Sequence, residues 1–152
     1  MFVFLGNTIV NRDADCALSY PVPRSVPAPA DPVGLTAAAV EELLAGPTPA
    51  EQANGYTSWF SQATADDLIS VRLVGATAYV NLENHSQDIP NASTSCGSAQ
   101  YLSQLDNTVR TASGASRVLY AFDGDPEAFW NWLQIGCSAA NDDCDPTPFA
   151  GP

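Results

Sequence analysis

Lysine is absent from this 152-residue chain, and its five arginines face 17 acidic residues, giving a net charge of −12. Such a surface repels phosphate backbones and anionic headgroups, which argues against nucleic acid and against direct attraction to a membrane. Calcium, a cationic polymer or a basic protein surface remain electrostatically acceptable, and the acidity also serves solubility. Charged residues of both signs are scarce at 14%, so the polar balance rests on Ser, Thr, Asn and Gln. Histidine occurs once, as His85, and none of the four cysteines lies in a CxxC or Cys/His zinc spacing. No apolar run is long enough to span a bilayer. The opening Met1-Phe2-Val3-Phe4-Leu5 lacks the basic flank of a secretion signal. Met1 therefore reads as an added start before a mature domain, with any export signal or lipid anchor outside this numbering.

Cys16, Cys96, Cys137 and Cys144 form an even set separated by loops, the signature of two disulfides in an exported domain. Three pairings satisfy the sequence. Cys137–Cys144 would close a short local loop, whereas a long-range pair such as Cys96–Cys137 would constrain the unfolded chain more.

The chain fits one domain over residues 1–152, with a core at 2–135 and an acidic, Pro-rich coil tail at 138–152. Residues 2–5 read as a first strand, and the prolines at 21, 23, 27, 29 and 32 enforce an extended crossover. Thr36 can cap a helix ending at Ala45, where Gly46 supplies a left-handed stop and Pro47 forbids continuation. Residues 48–65 read as a long loop with Trp59 and Phe60 turned inward. Ile69, Val71 and Leu73 alternate, as do Ala78, Val80 and Leu82, which predicts a β-hairpin about Gly75 with these six on its buried face. Residues 98–112 return to helical spacing through Leu102, Leu105 and Val109. Val118, Tyr120 and Phe122 mark a last strand, apolar on both faces and so expected at the centre of the sheet. Asp125 and Pro126 open a final helix packed by Phe129, Trp130 and Leu133. The expected fold is α+β: a two-layer sandwich of about four mostly antiparallel strands under two to three helices, in β-α-β-β-α-β order.

Five landmarks in fixed order carry a resemblance. They are Leu43-Leu44-Ala45-Gly46-Pro47-Thr48; Gly55 with Ser58; Gly75 with Val80-Asn81-Leu82; Gln104-Leu105 with Thr108; and Asp123-Gly124. Together, over roughly residues 2–135, the chain resembles the GerMN domain of bacterial sporulation and germination proteins and envelope lipoproteins. Asn81 stands where many members have Asp, and neither the cysteines nor Phe129-Trp130-Asn131-Trp132 belongs to the pattern. The resemblance implies a non-enzymatic, cofactor-free, extracytoplasmic module at the cell wall or membrane surface. It would assemble with an envelope protein partner or with itself.

The residues offer little chemistry against that reading. Asp123, Asp125 and Glu127, with Asp66-Asp67 approaching from elsewhere, are the only candidates for a weak acid hydrolase. Asp123 and Asp125 are equally explained as a turn and a helix cap. His85 has no Ser in a nucleophile elbow and lies in a polar stretch, so it reads as a surface histidine. Asn141-Asp142-Asp143-Cys144-Asp145 lacks the glycine and distal Glu of a calcium loop and reads as a solvated tail. The alternative from another class is a peptidoglycan- or glycan-binding module. Its candidate contacts are Tyr56 and Trp132, the latter expected exposed because Phe129, Trp130 and Leu133 already define the packed face.

Overall fold

The computed structural model describes residues 1–27, 31–90 and 92–150. Alternation places Val3, Leu5 and Asn7 of β1 (Phe2–Asn7) inward. This strand is the middle of a three-stranded antiparallel sheet ordered β2-β1-β3, with β2 at Tyr20–Pro23 and β3 at Tyr56–Thr57. Pro21 and Pro23 cannot donate to a ladder, which confines β2 to the edge. Pro29 lies outside the described residues.

The hairpin forms as its alternation requires: β4 (Leu68–Val74) pairs antiparallel with β5 (Thr77–Leu82) about Gly75. The register slips between Leu68 and Ser70, a β-bulge that changes the inward set. Leu68 packs toward the core in place of Ile69, which is 48% exposed. β6 (Arg117–Phe122) pairs parallel with β5, giving the order β4-β5-β6. The last strand is thus an edge, and β5 is the centre. Its second apolar face is covered by the C-terminal segment, where Phe149 packs on Leu119 and Ala121 and meets Tyr79 edge-on at 5.5 Å. Residues 138–150 are therefore not plain coil. They carry two 3-10 turns, at Ala139–Asn141 and Thr147–Phe149.

Four helices complete the α+β fold among the described residues: α1 (Pro32–Leu44), α2 (Pro49–Ala53), α3 (Ser95–Ser113) and α4 (Pro126–Trp132). Asp31 caps α1 by accepting from Gly34 N, and Thr36 lies inside it, its hydroxyl donating back to Pro32 O. The expected long loop contains α2, whose Thr48/Glu51 capping box makes it a helix, as well as β3. α1 and α3 pack on each other and between them reach strands of both sheets. The expected single sheet of about four strands is two smaller ones, because β1 takes its partners from the proline segment and from β3. Leu43 and Leu44 are fully buried, each contributing about 2 kcal/mol by area. No helix among the described residues is long and apolar enough to cross a membrane.

Candidate functional site

The end of α1 is a junction where unsatisfied helix carbonyls meet side chains from three other segments. A helix leaves its last carbonyls without internal partners. Here Leu43 O accepts from Gly46 N, Leu44 O from Thr64 Oγ1 at 2.7 Å, and Ala45 O from Gln62 Nε2. Gly46 O accepts from Arg24 Nη2, and Pro47 O from Gln52 Nε2. Gly46 is doubly required. Its φ is +77°, and a Cβ there would lie 2.4 Å from Phe60 O. Arg24 is clamped by Glu51 on Nε at 2.9 Å and Nη2 at 2.6 Å, and by Glu42 on Nη1 at 2.9 Å. Burial pushes the Glu51 carboxyl up, but Arg24 and the Thr48 amide outweigh it and hold Glu51 below its ordinary value. Beside this junction lies a groove of about 930 Å³ whose lining includes Tyr56, Pro47 and Gln62. Tyr56 is partly buried there, packed against the core.

The other landmarks also meet in space. Ser58 Oγ donates to Gln104 Oε1 at 2.5 Å, and Thr108 Oγ1 accepts the Phe4 amide at 3.0 Å, tying α3 to β1 where the strand is paired by β2 but not by β3. Asn81 Oδ1 accepts from Gly124 N at 2.8 Å, pinning the turn in which Asp123 has φ +50°. An aspartate oxygen would accept the same amide, so Asn81 departs from the pattern without changing its geometry.

His85 is not on the surface. It is 1% exposed, with Nδ1 3.0 Å from Asp67 Oδ2 and Nε2 2.6 Å from the hydroxyl of the fully buried Tyr101. Desolvation lowers its pKa to about 4, so the imidazole is neutral at pH 7, its Nδ1–H donating to Asp67 and its Nε2 accepting from Tyr101. Desolvation, then the charges of Asp88, Asp66 and Asp123, raise the Asp67 carboxyl. Phe60, Phe122 and Trp132 ring the imidazole at 5.0–6.0 Å. The order Asp–His–hydroxyl is that of a proton relay, but it ends on a tyrosine sealed in the core. It fastens the 83–90 loop to α3. The signal for it was Tyr101, a hydroxyl on the apolar stripe of a helix, which needs a buried partner.

Trp132 is therefore not the exposed platform expected of it. Its ring packs against Tyr101 and Phe122, both at 5.2 Å, because α4 is short and its last turn is roofed by the 83–90 loop. Trp132 and Tyr56 are not brought together: one faces the histidine cluster, the other the groove. Asp125 Oδ1 caps α4 by accepting from Glu127 N and Ala128 N. In the acidic tail Asp143 accepts from Ser138 N and Asp145 from Thr147 N, so both serve local turns. The disulfides are Cys16–Cys96 and Cys137–Cys144, which settles the pairing. Glu127, Cys137 and Cys144 converge, but those sulfurs are bonded to each other and cannot ligate as thiolates.

With these contacts in place, the family can be stated. A sequence model of the Germane family, described as sporulation and spore germination, matches residues 9–128. The chain belongs to that family. Every landmark that carried the resemblance lies in this span and is a fastening point of the fold. No curated protein and no solved structure matches the chain.

Proposed function

We propose that this chain is a non-catalytic, GerMN-like module exported to the bacterial envelope, where it binds a partner protein by adding a strand to β4. The observation that carries this reading is the open edge of the second sheet. Among the described residues β4 is paired only with β5, and its outward Ile69 and Val74 are 48% and 50% exposed. An unpaired strand with apolar outward positions is a template for another chain. The bulge limits pairing to Ser70–Val74. Of the other sheet edges, β2 carries two prolines, β3 is only two residues long, and the Phe122–Asp125 bridge occupies the end of β6. Two copies at net charge −12 repel, so the partner is a neutral or basic protein of the cell wall or membrane surface. Two disulfides support an oxidising compartment.

A photo-crosslinking residue at position 74 is expected to give one discrete adduct in cells. Val74→Asp combined with Ile69→Asp should abolish partner binding at unchanged thermal stability, since both side chains stand half in water. A monomer with no adduct, or binding unaffected by the double substitution, would overturn the proposal.

A further inference from the structure

The connection between β1 and β2, residues 8–19, is built as a wall. Asn7 Oδ1 accepts from the amides of Ile9 and Val10, and the Asn11 side chain both accepts from Asp15 N and donates to Asp15 O. The Cys16–Cys96 disulfide and the Ser103 hydroxyl, donating to Ala17 O, hold this wall against α3. Between them lies a cleft of about 560 Å³, within the ~300–1,000 Å³ typical of small-molecule sites.

Its lining combines one aromatic ring with polar groups that the protein leaves free. Gly6 stands at the base, where a Cβ would lie 2.8 Å from Thr57 Oγ1 and 3.8 Å from Gln104 Nε2. Gln104 is 4% exposed, and Ser58 occupies its Oε1, leaving Nε2 without a partner among the described residues. The side chains of Arg12 and Gln100 also lack partners among the described residues, and Trp59 supplies the indole. The buried Trp59 Nε1 has no acceptor either. Unused buried donors cost free energy unless a ligand or water takes them.

The chemistry selects the ligand. An apolar molecule would leave Gln100, Gln104 and Thr57 unpaired. A strong anion or cation would meet both Arg12 and Asp15, whose charges offset. A ring with an apolar C–H face and many hydroxyls uses everything present. We infer that this cleft binds a neutral oligosaccharide, one sugar ring packing on Trp59 while Arg12, Gln100 and Gln104 donate to its oxygens. The cleft shares no residue with β4, so the inference stands apart from the partner-strand proposal.

The test is titration of the isotope-labelled protein with chitotetraose, cellotetraose and maltotetraose, followed by NMR. At least one sugar is expected to shift the Gly6 and Thr57 amides and the Trp59 indole signal, saturating below about 10 mM. Arg12→Ala and Gln100→Ala, both outside the core, should each weaken binding about fivefold to tenfold at unchanged melting temperature. Val74→Asp should leave sugar binding intact. No shift with any of the three sugars at that concentration overturns the inference. So do shifts confined to the Tyr56 groove, or variants that bind like the parent.

Discussion

The two sheets of this molecule are anchored by opposite kinds of polar chemistry. Around the first, Arg24 stays charged between Glu42 and Glu51 at the rim, and a long-range disulfide joins residues 80 apart in sequence. Around the second, His85 stays neutral among aromatic rings, and the disulfide closes a separation of only seven. A guanidinium keeps its charge because two carboxylates and two backbone carbonyls complete its shell. An imidazole enclosed by Phe60, Phe122 and Trp132, with Tyr101 on Nε2, gives its charge up. Position decides between these outcomes: near the surface a salt bridge keeps help from water, while in the core the neutral tautomer is cheaper than any ion pair.

The largest way to sharpen the comparison is to open the two disulfides separately. Loop-closure entropy assigns about 4.5 kcal/mol to a loop the size of Cys16–Cys96 and about 2.5 kcal/mol to one the size of Cys137–Cys144. Urea unfolding of the Cys16→Ser/Cys96→Ser and Cys137→Ser/Cys144→Ser proteins should show that order. Equal losses would mean that the short bridge also fixes Phe149 on Leu119 and Ala121, and that the tail matters as much as the wall. Next in size is Gly46→Ala, at about 3 kcal/mol. The substitution combines a positive φ with a Cβ pressed on the Phe60 backbone, which cannot swing away as a side chain could. A loss under about 1 kcal/mol would show the α1 junction to be compliant rather than tightly fixed.

How much of this was legible in the sequence follows the same division. Gly46, Pro47, Asp125 and Pro126 act through local backbone geometry, so each helix stop or start they mark is where they place it. The family landmarks were legible as an ordered set, but their purpose was not, since Ser58 meets Gln104 across a separation of 46 and Asn81 meets Gly124 across 43. His85 was misread for that reason: its neighbours in the chain are polar, whereas its neighbours in space are rings from four other segments. Trp132 was misread because helical spacing fixes which way a residue points, not what another loop lays over it. Ile69 and Leu68 exchanged roles through one inserted residue, which alternation alone does not reveal. The β4 edge and the cleft beside Trp59 depend on which strands fail to pair and which amides stay unused, both properties of the assembled fold.

The smallest predicted effect probes the comparison most directly, because acid reaches the two anchors at different pH. The folded pKa of His85, about 4, lies below its ordinary 6.5, so between these values the unfolded chain binds the extra proton and stability falls as pH falls. That contribution amounts to about 3 kcal/mol. Glu51, held below 4.5, contributes stability that is present above that value and lost only at lower pH. The second sheet's anchor should therefore weaken first. Asp67 works the other way: its raised carboxyl takes up a proton earlier in the folded state than in the unfolded one, so its contribution grows as pH falls and partly masks the histidine. In Asp67→Asn the amide oxygen still accepts from His85 Nδ1–H, so stability at pH 7 should change by less than about 1 kcal/mol. The opposing contribution is gone, however, and so is the carboxylate that eases protonation of the ring. Urea midpoints at pH 7, 6 and 5 should fall more steeply for Asp67→Asn than for the parent. A shallower fall in the variant would mean that His85 is charged in the folded protein, and the contrast between a charged anchor and a neutral one would not survive it.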